Sequence, residues 1–314
     1  MKIPTSFIEQ NFSPADFLEN CREAFLGYGQ GSFTMAPREE YVDEAGRFTL
    51  KMPAQIPGYT GYKFIEELPA IEGGKLGQRT AIIKLKPDNT NEVEMDAEFI
   101  TNMRTGAAGV LGMSLLAPGS KHIAILGTGK ISTALAWCAV EMGVETIAVF
   151  SRKPENRAKF KEELSGLKVK IILHDSIPSC VSKVESILTA VPTAEPILFF
   201  KDLPSRVYIS VMGGDSRTTQ LDQEVMTRAW IVPDNEAQCQ KSGEFKIAQQ
   251  RGYYEDIHLA RVDGRVANIG DVVSNRLTSD RDVAVGYFTG LAVQDINVAR
   301  MVYEKFMNIG RVVK

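Results

Sequence analysis

Apolar positions along this chain follow two rhythms, and the change comes just before residue 121. Ser13 stands where a helix would be capped, and Phe17, Leu18, Cys21, Ala24 and Phe25 form one apolar stripe behind Pro14, which predicts an amphipathic helix. Period-2 runs follow: FTLKM at 48–52, YKFIE at 62–66 and RTAIIKLK at 79–86, with Pro87-Asp88-Asn89 as a turn signal. They predict a mixed sheet with hairpin links. Asp96 is placed to cap a second long helix, AEFITNMRTGAAGVLGMSLLA, which Pro118-Gly119 ends.

From Lys121 the text reads apolar strand (HIAIL), glycine turn (GTGKIS), apolar-striped helix and apolar strand (ETIAVF), which is one βαβ unit. Further apolar runs, KVKIIL, ESILTAV, RVYISVMG and WIVPD, alternate with helical segments. Strands apolar on both faces predict a parallel sheet covered on both sides. After Asn268 this rhythm stops, and TGLAVQDINVARMVYEKF predicts an amphipathic helix. The break at 118–120 is the expected domain boundary.

Gly127-Thr128-Gly129-Lys130-Ile131-Ser132 follows a strand and opens a helix, the context in which a glycine pattern acquires a mechanism. The first glycine permits the tight turn. The second lets a pyrophosphate approach the helix N-terminus, where free N–H groups and the dipole favour an anion. Ser132 replaces a third glycine. An NAD site would place an acidic residue at the end of the second strand, to accept from the ribose 2′-hydroxyl. This chain has Phe150-Ser151-Arg152-Lys153, a hydroxyl and two cations suited to a 2′-phosphate. The expected cofactor is therefore NADPH, with NADH possible.

Composition narrows the function classes. In 314 residues, 36 basic and 39 acidic side chains leave a net charge of −3, so there is no basic excess for a nucleic-acid partner. The N-terminus has no continuous apolar core, and no stretch stays apolar for the roughly 18 residues of a membrane span. The expectation is a cytoplasmic protein with no membrane partner. Cys21, Cys138, Cys180 and Cys239 are scattered, without CxxC or a histidine at ligand spacing, so no metal site is expected. Three histidines, His122, His174 and His258, leave acid–base work to carboxylates or lysine.

Several segments together resemble the ornithine cyclodeaminase and mu-crystallin family, which also holds ketimine reductases and some alanine dehydrogenases. They are Ala36-Pro37-Arg38, Met52-Pro53, Gly61-Tyr62-Lys63, Met95-Asp96 leading to ITNMRTGAA at 100–108, Leu116-Ala117-Pro118, the GTGKIS turn, Gly213-Gly214-Asp215, and Gly290-Leu291-Ala292 with Asp295. The resemblance covers nearly the whole chain. It implies an α/β fold in which a Rossmann-type parallel-sheet domain, residues 120–276, is inserted into a mixed α+β substrate-binding and dimerisation domain, residues 1–119 and 277–314. It also implies a homodimer.

Carried over residue by residue, the resemblance makes Arg38, Lys63 and Arg104 the substrate-carboxylate residues. Asp215 becomes the acid/base group, with Lys63 sharing the proton duty. Val191 and Ser210, Val211 and Met212 fall at strand ends by the nicotinamide half, and Thr105 follows the binding arginine. Phe288 and Thr289 fall in the loop over the ring, Thr289 among the substrate contacts. Chemistry agrees in kind: a small amino or imino acid needs fixed cations, and a cation inside the Ala- and Gly-rich helix around Arg104 is costly unless used.

Departures from the family pattern separate its activities. Leu50 stands where ornithine cyclodeaminases carry a glutamate for the second amine, and Gln294 replaces the glutamate before Asp295. With Ser151-Arg152, Leu50 leans toward NAD(P)H-dependent reduction of a cyclic ketimine carboxylate, Δ1-pyrroline-2-carboxylate or Δ1-piperideine-2-carboxylate. Ornithine cyclodeaminase, a mu-crystallin-like binding protein without turnover and alanine dehydrogenase stay open as alternatives.

Overall fold

The computed structural model describes residues 1–69, 78–214, 216–274, 277 and 281–312. Asp215 and the expected domain edge at 276 lie outside them. The chain forms two compact units, Met1–Arg104 with Leu291–Lys314, and Thr105–Gly290.

In the first unit, Phe48–Ile56 and Tyr59–Glu67 pair antiparallel from Phe48 opposite Glu67 to Ile56 opposite Tyr59, around a turn in which Gly58 takes φ +79°. Arg79–Pro87 continues the sheet against Tyr59–Glu67, Val93–Asp96 joins it antiparallel, and Lys2–Ile3 closes that edge in parallel. Asn89 adopts φ 58° in the turn after Pro87, as the Pro-Asp-Asn signal predicts. Alternation places Met52, Ala54, Ile56, Lys63, Ile65, Ile83 and Leu85 in the buried rank. Helix Pro14–Gly29 starts in a capping box, with the Ser13 amide donating to Asp16 at 2.7 Å. Helix Ala292–Val312 packs on it and on the sheet.

The second unit contains an eight-stranded parallel sheet. Its spatial order is Lys170–Leu173, Thr146–Phe150, His122–Leu126, Ser186–Thr189, Val207–Met212, Val283–Phe288, Trp230–Pro233, His258–Leu259. Strand order reverses between His122–Leu126 and Ser186–Thr189, the place where ligands of open α/β sheets bind beyond the strand carboxyl ends.

Two features go with a division into units at 104/105 and 290/291. VAVGYF at 283–288, not anticipated as a strand, lies inside the parallel sheet between Val207–Met212 and Trp230–Pro233. Its run is apolar without alternation, a pattern that fits buried strand and helix equally. The long helix Glu98–Leu116 also crosses the division. A Cβ on Gly106 would meet Ala134 backbone at 2.6 Å, and one on Gly109 would meet Met212 and Leu135 at 2.8 and 2.9 Å. These close approaches dock the later turns of the helix on the second unit.

Candidate functional site

In the first unit, three of the expected cationic positions converge electrostatically. Lys63 and Met52 are directly opposed across the hairpin, so Lys63 points into the buried rank and is 1% exposed. Arg104, near the start of its helix, is 6% exposed. Both meet Asp295 in the first turn of the C-terminal helix: Lys63 Nζ lies 2.8 Å from Oδ2, and Arg104 Nε donates to Oδ1 at 3.1 Å. Burial and the neighbouring Arg104 push the Lys63 ammonium down from 10.5 to about 7, partly offset by Asp295, and Arg38 adds to the depression. Burial raises the Asp295 carboxyl, but Arg104 and Lys63 outweigh it and hold the group below its ordinary value. Two cations on one carboxylate, with Arg38 acting on Lys63, leave positive charge over, which is what a substrate carboxylate requires.

Asp295 is the residue whose role sequence reasoning missed, although it was quoted in the motif. Gln294 beside it turns inward as well, accepting from the Leu291 amide at 2.9 Å and donating to Cys21 Sγ at 3.3 Å. Leu50 pairs with Ile65 one step along from the Met52–Lys63 pair, on the same face as Lys63.

In the second unit, Gly127 takes φ +99° directly after strand His122–Leu126, a conformation L side chains rarely adopt. A Cβ there would lie 3.2 Å from Ser132 Oγ and 3.4 Å from Val191 Cγ2. Gly129 is the N-cap of helix Lys130–Glu141 and makes no side-chain cap, leaving the first-turn amides to another acceptor. A Cβ on Gly129 would meet nothing within 4 Å. Ser132 Oγ is buried without a hydrogen-bond partner among the described residues. Lys130 is exposed and Ile131 half-buried. A glycine that must be left-handed, an open second glycine and uncapped amides fit the diphosphate of a dinucleotide.

At the end of strand Thr146–Phe150, Ser151 is half-buried, while Arg152 and Lys153 are exposed, Lys153 as N-cap of helix Pro154–Glu163. The buried cation here is Arg157, which sequence reasoning also missed. Its Nη1 donates to Ser151 O at 2.7 Å and its Nη2 pairs with Asp175 at 2.6 Å. It fixes the turn from which Arg152 projects.

The other expected cofactor residues sit at neighbouring strand ends. Ser210 and Val211 are buried and Met212 is half-buried at the end of Val207–Met212, with Ser210 Oγ donating to Gly109 O at 3.1 Å. Val191 follows Ser186–Thr189. Phe288 ends its strand and is 4% exposed; Thr105 is 8% exposed. Thr289 is held by Asp234. Its hydroxyl donates to Asp234 Oδ1 at 2.8 Å, and the Thr289 and Gly290 amides donate to Asp234 Oδ2, both at 2.8 Å. Asp234, at the carboxyl end of Trp230–Pro233, is 1% exposed. Its place just past an apolar strand was the available signal.

Among the described residues no group of His, Cys, Asp or Glu is arranged to hold a metal ion, all four cysteines are free and buried, and no helix is long and apolar enough to cross a membrane.

Comparison with known proteins follows the same outline. The model of the ornithine cyclodeaminase/mu-crystallin family matches residues 3–309. The chain is 27% identical to the alanine dehydrogenase of Archaeoglobus fulgidus, over 98% of this chain and 96% of that protein. It is 27% identical to a Delta(1)-pyrroline-2-carboxylate reductase of Bacillus cereus, over 83% of this chain and 82% of the relative. Its fold matches that of the Thermococcus litoralis Delta(1)-pyrroline-2-carboxylate reductase, solved in complex with NADH and L-proline. There the TM-score is 0.87 at 24% identity, covering 99% of this chain and 98% of the other.

Proposed function

The chain belongs to the ornithine cyclodeaminase/mu-crystallin family, and on that premise we propose that it is an NAD(P)H-dependent reductase of a small cyclic ketimine carboxylate. The substrate is Δ1-pyrroline-2-carboxylate or Δ1-piperideine-2-carboxylate, and the product the corresponding L-imino acid. The observation that carries this reading is the buried arrangement of Lys63 and Arg104 on Asp295, with Arg38 adding charge and Lys63 held near 7.

Arg38 and Arg104 hold the substrate carboxylate, Arg104 kept in place by Asp295. Lys63, half-protonated near neutrality, can give a proton to the imine nitrogen at the pH where reduction is wanted. Asp215, carried over from the family resemblance, is the second group assigned to that proton. Leu50 on the Lys63 face offers no partner to a second amine, which favours a monoamine-derived imine over a diamine. The Gly127–Ser132 turn and the start of helix Lys130–Glu141 bind the diphosphate, Ser151, Arg152 and Lys153 the ribose end, with NADPH preferred and NADH accepted. When bound, the reduced dinucleotide supplies the hydride. We further propose a homodimer, in keeping with the family resemblance.

The deciding assay follows NADPH and NADH absorbance separately with each imine and with pyruvate plus ammonia, and measures ammonia release from L-ornithine. Turnover of a cyclic imine is expected. Ammonia from ornithine with neither imine reduced would overturn the reading in favour of a cyclodeaminase. Reduction confined to pyruvate plus ammonia would assign the alanine dehydrogenase activity named for the Archaeoglobus relative.

A further inference from the structure

Beneath the strand ends of the second unit lies a polar network that the reaction above does not use. Glu244, in helix Gly243–Arg251, is 1% exposed, and Gln220 and Tyr287 are equally enclosed. Glu244 Oε1 accepts from the Gln220 amide at 2.7 Å. The Gln220 side chain spans two strand ends: Oε1 accepts from Thr189 Oγ1 at 2.7 Å and from the Val191 amide at 3.0 Å, and Nε2 donates to Met212 O at 3.0 Å. Tyr287, in the third strand Val283–Phe288, places its hydroxyl within hydrogen-bond distance of Gly213 O, at 3.1 Å, and of Glu244 Oε2. The contact leaves no room at Gly213, where a Cβ would sit 2.5 Å from the tyrosine ring.

Protons can be counted here. A phenol carries one, and two acceptors face it. Glu244 Oε2 and Gly213 O share it, and Ser242 faces the phenol as well. The phenol therefore ties Gly213 and Glu244 together, while Glu244 Oε1 accepts from the Gln220 amide. Burial pushes the Glu244 carboxyl up, against the hydrogen bonds from the Gln220 amide, the Tyr287 hydroxyl, its own amide and the Leu221 amide, which pull it down.

We propose that Glu244, Gln220 and Tyr287 are positioning residues that lock the carboxyl ends of three neighbouring strands under the place assigned to the nicotinamide half of the cofactor. The purpose of the lock rests on the dinucleotide reading above; the lock itself does not. Its reach matches that purpose, since Val191, Met212 and Gly213 are held and the diphosphate turn at Gly127 is left out.

The test compares the full-length protein with Tyr287→Phe, Glu244→Gln and Glu244→Ala by amide hydrogen exchange, without ligand, in peptides covering 189–192 and 211–214. Tyr287→Phe and Glu244→Ala are expected to speed exchange there about tenfold, the scale of one lost buried hydrogen bond. Glu244→Gln keeps the side-chain shape and one oxygen acceptor, and is expected to exchange more slowly than Glu244→Ala. Exchange in Glu244→Gln as fast as in Glu244→Ala, or none of the speeding in Tyr287→Phe, overturns the proposal. If Glu244→Ala does not fold, Tyr287→Phe and Glu244→Gln decide it.

In turnover, Tyr287→Phe is expected to lower kcat about tenfold while the dinucleotide Kd moves less than about twofold, because only the reacting end loses its support. Equal losses in both would assign a merely structural role and overturn positioning. If no imine is reduced by the parent protein, that failure belongs to the functional reading, and the exchange experiment still decides the lock.

Discussion

Asp295 and Glu244 are both carboxylic side chains taken almost wholly out of water, one in each compact unit, and their environments push them in opposite directions. Asp295 touches Lys63 and Arg104 and is held below its ordinary value. Glu244 touches a backbone amide and a phenol and is pushed up. Burial is common to the two; the partners differ. Where cations face the carboxylate, burial concentrates charge and creates a place for a substrate anion. Where backbone amides and a phenol face it, the buried carboxyl becomes a strut between strand ends. The first arrangement makes chemistry and the second holds geometry.

The comparison is tested hardest by removing one charge from each. Asp295→Asn leaves Lys63 and Arg104 as buried cations without a counter-charge, and is expected to cost about 3 to 5 kcal/mol in urea unfolding. The same amide exchange at Glu244 is expected to cost less, about 1 kcal/mol, since it breaks no ion pair and leaves one oxygen acceptor in place. Similar losses at the two sites would erase the distinction between a carboxyl faced by cations and one faced by dipoles.

Lys63 sharpens the same point through pH. Its folded value of about 7 lies below the ordinary 10.5, so between those values the unfolded chain holds a proton that the folded chain has released. Stability from this group therefore rises with pH across that window, by a few kcal/mol, and the full cost of burying the ammonium is present below about 7. Lys63→Met is expected to flatten the rise in a series of urea titrations from pH 6 to 10. An unchanged slope would mean that Lys63 is not the titrating group. With a cyclic imine, kcat/KM of the parent is expected to fall as pH rises through about 7, where the free enzyme loses the Lys63 proton.

What the sequence made legible was local. Ser13, which caps its helix with Asp16, and the Pro-Asp-Asn turn each act within a few residues. The Gly127–Ser132 turn is equally local, because a strand, a left-handed glycine and a helix N-terminus are consecutive. Arg104 was legible by contrast with its helix. The pairing of Arg104 with Asp295 joins positions 191 apart, and that of Tyr287 with Glu244 joins positions 43 apart. No periodicity encodes such meetings; they exist only once sheets and helices are packed. Strand Val283–Phe288 escaped for a related reason: buried on both faces, its sequence lacks the alternation that identifies a half-exposed strand.

Exposed charge completes the series with the smallest expected effect. Arg152 lies on the surface, whereas Arg157, five residues on, is buried and carries the structural work by holding Ser151 O and Asp175. Replacing Arg152 by alanine therefore leaves the turn intact, and the melting temperature is expected to stay put. Its effect is confined to the ligand. NADPH should bind about tenfold more weakly, the scale of one charge-assisted hydrogen bond to a phosphate, and NADH should change less than about twofold. Because the contact is open to solvent, raising the salt concentration should shrink the NADPH penalty. Fluorescence titrations of both dinucleotides at two salt concentrations measure this directly. Equal weakening of NADPH and NADH would remove the 2′-phosphate from the account of Arg152, and a lowered melting temperature would show that the charge at this position is structural after all.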